Sequence, residues 1–168
     1  MEGLLGTEKY FQGGMKLTAK IRILESCVLP ILTYGAQTWA TTQAQTWKVA
    51  SAQRSMERSI LGIKKKDKIR NTTIRAKTNS RGVVYTIKKP KMDYAGHLAR
   101  AEDGRWSRKL TFWVPYGHTR RRGRPATSWK EEIIGRVGLP WCRAAQNRKT
   151  WKRIGKAYAH DTGARYTA

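Results

Sequence analysis

Apolar positions along the chain follow two patterns. From Ser26 to Trp39 large apolar side chains follow one another with no charge between them, and this run is expected to be the core. Just upstream, Leu17, Ile21, Leu24 and Val28 recur at the spacing that keeps one face of a helix apolar, which predicts an amphipathic helix from Lys16 to Leu29. Pro30 lacks a backbone donor and should bend or end that helix, and Tyr34-Gly35 reads as a bend. A second helix should start at Thr41 or Thr42 and reach Leu61. It carries Val49, Met56, Ile60 and Ile63 on one stripe, with Arg54 and Arg58 off it and Gly62 at its C-terminal cap. Asn71 should cap a short helix over Thr72 to Lys77. A further helix is signalled from Ser80 through Val83, Ile87, Tyr94, Ala95 and Leu98, with a break expected at Pro90 and Asp93.

Near the C-terminus, Trp129, Ile133 and Val137, then Trp141, Ala145, Trp151, Ile154 and Tyr158, recur at near-helical intervals. These side chains read as core. Gly138-Leu139-Pro140 between them predicts a tight turn joining two antiparallel helices, Trp129 to Val137 and Trp141 to Ala159. The fold class read from these periods is all-α. Cys27, inside the apolar run, and Cys142 are expected to be buried free thiols, because two isolated cysteines make no disulfide framework.

Charge then narrows the function. Of 168 residues, 39% are hydrophobic, enough for a core, while 35 Lys and Arg against 11 Asp and Glu leave a net charge of +24. Such an excess calls for a polyanionic partner, with nucleic acid the first choice. No signal peptide and no membrane partner are expected, and the chain should be intracellular, with the nucleus as its compartment. Cation-rich stretches supply the candidate contacts. Lys64, Lys65, Lys66, Lys68 and Arg70 form one run, which can be a solvated connection or a phosphate contact. Arg120, Arg121, Arg122 and Arg124 form another. Within it, Arg122-Gly123-Arg124-Pro125 has the core of an AT-hook, and phosphate contact, minor-groove insertion and an inert loop stay open as readings. Lys130, Arg148 and Lys152 lie on the outer faces of the last helices.

Three ordered blocks resemble LINE-type, non-LTR retrotransposon reverse transcriptases, at the RTE-like end of that family. The first is Cys27-Val28-Leu29-Pro30-x-Leu32-x-Tyr34-Gly35-x-x-Thr38-Trp39, similar to the region after the polymerase palm. Tyr94-Ala95-Gly96-His97-Leu98-Ala99-Arg100 with Gly104-Arg105-Trp106 forms the second, read as a turn, with departures at Pro90 and Asp93. The third runs from Trp113-x-Pro115 through Arg120 to Pro125, Trp129 and Ile133, and on to Ala145-Gln146-Asn147-Arg148-x-x-Trp151. The resemblance covers residues 16 to 155 and implies the thumb and the segment beyond it. The implied organisation is a loose lead over 1–15, a thumb-like helical bundle over 16–112, a basic loop over 113–126, a helical hairpin over 127–160 and a tail over 161–168.

Polymerase chemistry in that family needs adjacent aspartates holding two metal ions. Here Asp67, Asp93, Asp103 and Asp161 are scattered, and the only acid beside one of them is Glu102. Glu131-Glu132 reads as a charge complement to a helix N-terminus, and His97 as a hydrogen-bonding turn residue. The histidines and cysteines have no zinc-ligand spacing. The expectation is therefore no catalytic residue, no metal, no cofactor and no small-molecule substrate, in a fragment that holds RNA, DNA or their hybrid without regard to sequence. The alternative is a structural or interaction protein, a decayed or domesticated copy without retained binding.

Overall fold

The computed structural model describes residues 14–102, 104–113, 116, 117, 123 and 128–160. Every regular element among them is helical, as the apolar periods predicted. The chain forms two compact units: residues 14–34 and 43–86 make the first, residues 35–42 and 87–160 the second.

The first unit opens with α1 (Leu17–Ile23), a π turn (Leu24–Val28) and α2 (Leu29–Leu32). The π turn changes which side chains face inward. Leu29 N–H donates to Leu24 O, five residues back, so Leu24 and Leu29 are buried together while Cys27 turns out to solvent. This corrects two expectations. Cys27 is exposed, and the run it belongs to is core only in part: Leu29 and Ala36 are buried, whereas Ile31 is 78% and Tyr34 85% exposed. Pro30 does not end the helix either, because the wider turn falls where its missing N–H would have bonded, and α2 continues to Leu32. Native-state alkylation followed by mass spectrometry should therefore modify Cys27 quickly. Cys142, which is half-buried and whose thiol is pushed up chiefly by burial, should lag behind it.

Helix α3 (Gln43–Leu61) follows Thr42 and closes at Gly62, whose φ of +68° suits glycine, as predicted. Its buried face matches the apolar stripe only at Ile60. Thr46, Gln53, Glu57 and Ile60 are buried, whereas Val49 and Met56 are only half-buried. Gln53 and Glu57 face inward toward the start of α5 (Val83–Arg100) and the residues just before it. Gln53 Oε1 accepts from Val83 N–H at 2.6 Å, and its Nε2 donates to Arg81 O at 2.8 Å. Ser80 Oγ donates to Glu57 Oε1, and Arg81 N–H donates to Glu25 Oε1 at 2.6 Å. Donors that a helix start leaves orphaned are thus met by side chains remote in sequence. Between α3 and α5 lie a 3-10 turn (Lys65–Asp67) and α4 (Asn71–Thr78). Asn71 does not cap α4: Arg70 holds the N-cap position, and the Asn71 Oδ1 accepts from Arg58.

The second unit is built on the rest of α5. The helix passes through Pro90 without the expected break. Ile87, Met92, Ala95 and Leu98 are buried on both sides of the proline, and that packing outweighs the roughly 3 kcal/mol an interior proline costs. Gly96 and His97 consequently sit within a helix, not in a turn. After α5 come α6 (Trp106–Phe112), α7 (Trp129–Val137), α8 (Trp141–Gln146) and α9 (Arg148–His160). The predicted final helix is two, because Asn147 Oδ1 accepts from Thr150 N–H at 3.1 Å and caps α9. Met92, Ala95, Ala99, Ile133, Trp141, Ala145, Trp151 and Tyr158 form one core cluster, which contains the C-terminal aromatics expected there.

Candidate nucleic-acid interface

The basic run of the first unit is folded into a short, outward-facing connection. Lys64 N–H donates to Asp67 Oδ2 at 2.8 Å, which closes the 3-10 turn. Lys68 takes a left-handed conformation with φ of 52°, and Arg70 is extended immediately before α4. Lys64, Lys65, Lys66, Lys68 and Arg70 are all exposed, so the structure brings these five predicted contacts together on one surface segment.

Little in this unit offsets their charge. Its described carboxylates are Glu25, Glu57 and Asp67, and each accepts a hydrogen bond from a neutral donor: Arg81 N–H, Ser80 Oγ and Lys64 N–H. Both ion pairs found among the described residues, Lys89 with Asp93 and Lys91 with Glu132, belong to the second unit. The fold therefore uses its few acids to shape helix starts and a turn. The exposed Lys64, Lys65, Lys66, Lys68 and Arg70 are in neither of those ion pairs.

In the second unit, Arg148 and Lys152 lie one turn apart on α9 and are exposed, while Lys130 is half-buried on α7. Arg100 donates from Nη1 to Ala145 O at 2.5 Å, and its guanidinium is shifted down by burial and by the charge of Arg148. Arg120, Arg121, Arg122 and Arg124 lie outside the described residues, as do Pro115 and Asp103. Sequence spacing missed Arg75 and treated Arg54 and Arg58 only as residues off the apolar stripe. All three fall in the first unit.

Glu132 has a role beyond the helix-terminal charge expected of it. Its carboxylate accepts from Lys91 Nζ and, at 2.7 Å, from the Tyr158 hydroxyl. His97 is exposed. Among the described residues, no group of three or more His, Cys, Asp or Glu side chains could hold a metal ion, and no helix is long and apolar enough to cross a membrane.

No family model matches this chain. No solved structure matches it. In an alignment that covers 80% of its length, the chain is 33% identical to a transposon-derived protein of Caenorhabditis elegans. It spans about half of that relative, 53%, and the similarity fits an origin in a transposon.

Proposed function

We propose that this chain is the thumb and post-thumb part of a LINE-type, RTE-like retrotransposon reverse transcriptase, and that it holds template–product or target nucleic acid by phosphate contacts. On this reading the chemistry belongs elsewhere in the parent protein, and the fragment contributes no catalytic residue. The observation that carries the proposal is the charge arrangement of the first unit: its described carboxylates are engaged by neutral donors, beside an exposed run of Lys64, Lys65, Lys66, Lys68 and Arg70. The three sequence blocks and the transposon-derived relative supply the family context.

Filter binding to duplex DNA, RNA–DNA hybrid and single strands at two salt concentrations tests it. Affinity should be insensitive to sequence and fall steeply with salt. Replacing Lys64, Lys65, Lys66 and Lys68 with alanine should lower the log–log salt slope on duplex DNA by about 0.9 for each phosphate that is no longer neutralised. Background retention of every strand would reject binding and leave the scaffold alternative.

A further inference from the structure

Arg54 and Arg58 lie one turn apart on α3, and Arg75 lies one turn after Asn71 on α4. The two helices pack against each other. Their side chains are placed by particular contacts. Arg58 donates from Nη2 to Asn71 Oδ1, which ties α3 to the first residue of α4. The Arg75 guanidinium lies over Gly82, where an added Cβ would come within 2.6 Å of Nη2 and 3.5 Å of Cζ. Glycine at position 82 therefore leaves the space the guanidinium occupies. Arg54 is half-buried one turn before Arg58 on α3, and its guanidinium is shifted down by burial first, then by the charges of Arg58 and Arg75, against which Glu57 acts in the opposite sense.

Among the described residues none of the three forms an ion pair. Glu57, the acid nearest in effect, is itself buried and accepts from Ser80 through Oε1, while its Oε2 has no hydrogen-bond partner among the described residues. With Arg54 and Arg58 one turn apart on α3, Arg58 tied to Asn71 and Arg75 one turn further along α4, these cations act on one another unfavourably in the free chain, with one inward-facing carboxylate opposing. A phosphate placed among them would reverse the sign of that interaction and could accept paired N–H donors from planar guanidinium groups.

We infer that Arg54, Arg58 and Arg75 form a preorganised phosphate clamp on the face shared by α3 and α4, and that its ligand is a backbone phosphate of the bound nucleic acid. This rests on the nucleic-acid reading above and assigns to it residues outside the lysine run. A structural role and a clamp role differ in the sign of their effect on stability. If Arg54 helped hold the unit together, its removal would lower the unfolding temperature. In a clamp, its removal relieves repulsion.

The experiment compares wild-type chain with Arg54→Gln and with Arg54→Gln/Arg75→Gln, each by filter binding to duplex DNA across a salt series and by thermal unfolding without nucleic acid. Arg54→Lys serves as the charge-preserving control. The single variant should lose on the order of tenfold in affinity at about 0.1 M salt and about 0.9 in log–log slope, and the double variant about twice that slope change. The unfolding temperature of Arg54→Gln should hold or rise, and Arg54→Lys should keep most of the slope but lose affinity. Wild-type binding with unchanged slopes in both glutamine variants overturns the clamp while leaving the nucleic-acid reading intact. A lower unfolding temperature with unchanged slope assigns Arg54 a packing role and also overturns it. Absence of wild-type binding overturns both.

Discussion

Replacing Glu132 with alanine is expected to destabilise the protein by about 3–5 kcal/mol, because it leaves the Lys91 ammonium buried without its counter-charge. The Lys91 side chain is 0% exposed and donates to Glu132 Oε2, and the Tyr158 hydroxyl donates to the other oxygen of the same carboxylate at 2.7 Å. One substitution therefore orphans a charge and a hydroxyl together. Conversion of both charged partners to apolar residues, Lys91→Met with Glu132→Leu, should recover most of the loss, since no charge then remains to be desolvated. Adding Tyr158→Phe removes the remaining donor. Urea unfolding followed by circular dichroism gives the free energies, and a double-mutant cycle separates the pair from its neighbours. If Glu132→Ala were no more harmful than an exposed change such as Glu131→Ala, within about 0.5 kcal/mol of wild type, the buried pair would not be formed.

The second large effect is expected at Gly96. A Cβ there would meet Trp151 Nε1 at 2.3 Å and Cδ1 at 2.5 Å, with Arg100 Nη1 at 3.1 Å. Trp151 is 2% exposed, so its ring has nowhere to retreat, and its Nε1–H donates to Met92 O at 2.7 Å. Gly96→Ala gains about 1 kcal/mol of helix propensity. Against that stand overpacking, roughly 1–3 kcal/mol, and loss of a buried hydrogen bond, another 1–3 kcal/mol. The net expectation is a loss of about 2–4 kcal/mol, opposite in sign to what an exposed helical glycine would give. Trp151→Phe removes the clashing nitrogen, so in that background Gly96→Ala should cost distinctly less. Equal costs in the two backgrounds would show that the indole does not rest on Gly96.

Both sites show why part of the structure escaped a reading of one sequence. Gly96 lies in a string that reads as a turn, Tyr94-Ala95-Gly96-His97, yet the glycine serves close approach by an indole 55 positions away in the chain. Glu132 reads as a helix-terminal charge, and only packing against Lys91 and Tyr158 shows that it faces inward. On α3, hydrophobic spacing selected Val49 and Met56, whereas burial falls on Gln53, which meets the orphaned Val83 N–H at the start of α5, and on Glu57, which accepts from the Ser80 hydroxyl just before it.

What the sequence determined by itself is the local helix chemistry, the charge and the C-terminal core. The α3 boundaries follow from Thr42 and Gly62, and the all-α class from apolar periods longer than those of strands. Ile133, Trp141, Ala145, Trp151 and Tyr158 are buried as their spacing predicted, and the Lys64 to Arg70 run is an exposed connection. Tertiary structure alone decided the rest. Pro90 is carried inside α5 because flanking buried residues pack on both sides of it, and Cys27 is exposed because a π turn buries Leu24 and Leu29 in its place. Arg58 meets Asn71 only when α4 folds back on α3. The reason is the same in each case: periodicity reports which face of one element is apolar, whereas burial, ion pairing and clustering depend on what the second element brings to that face.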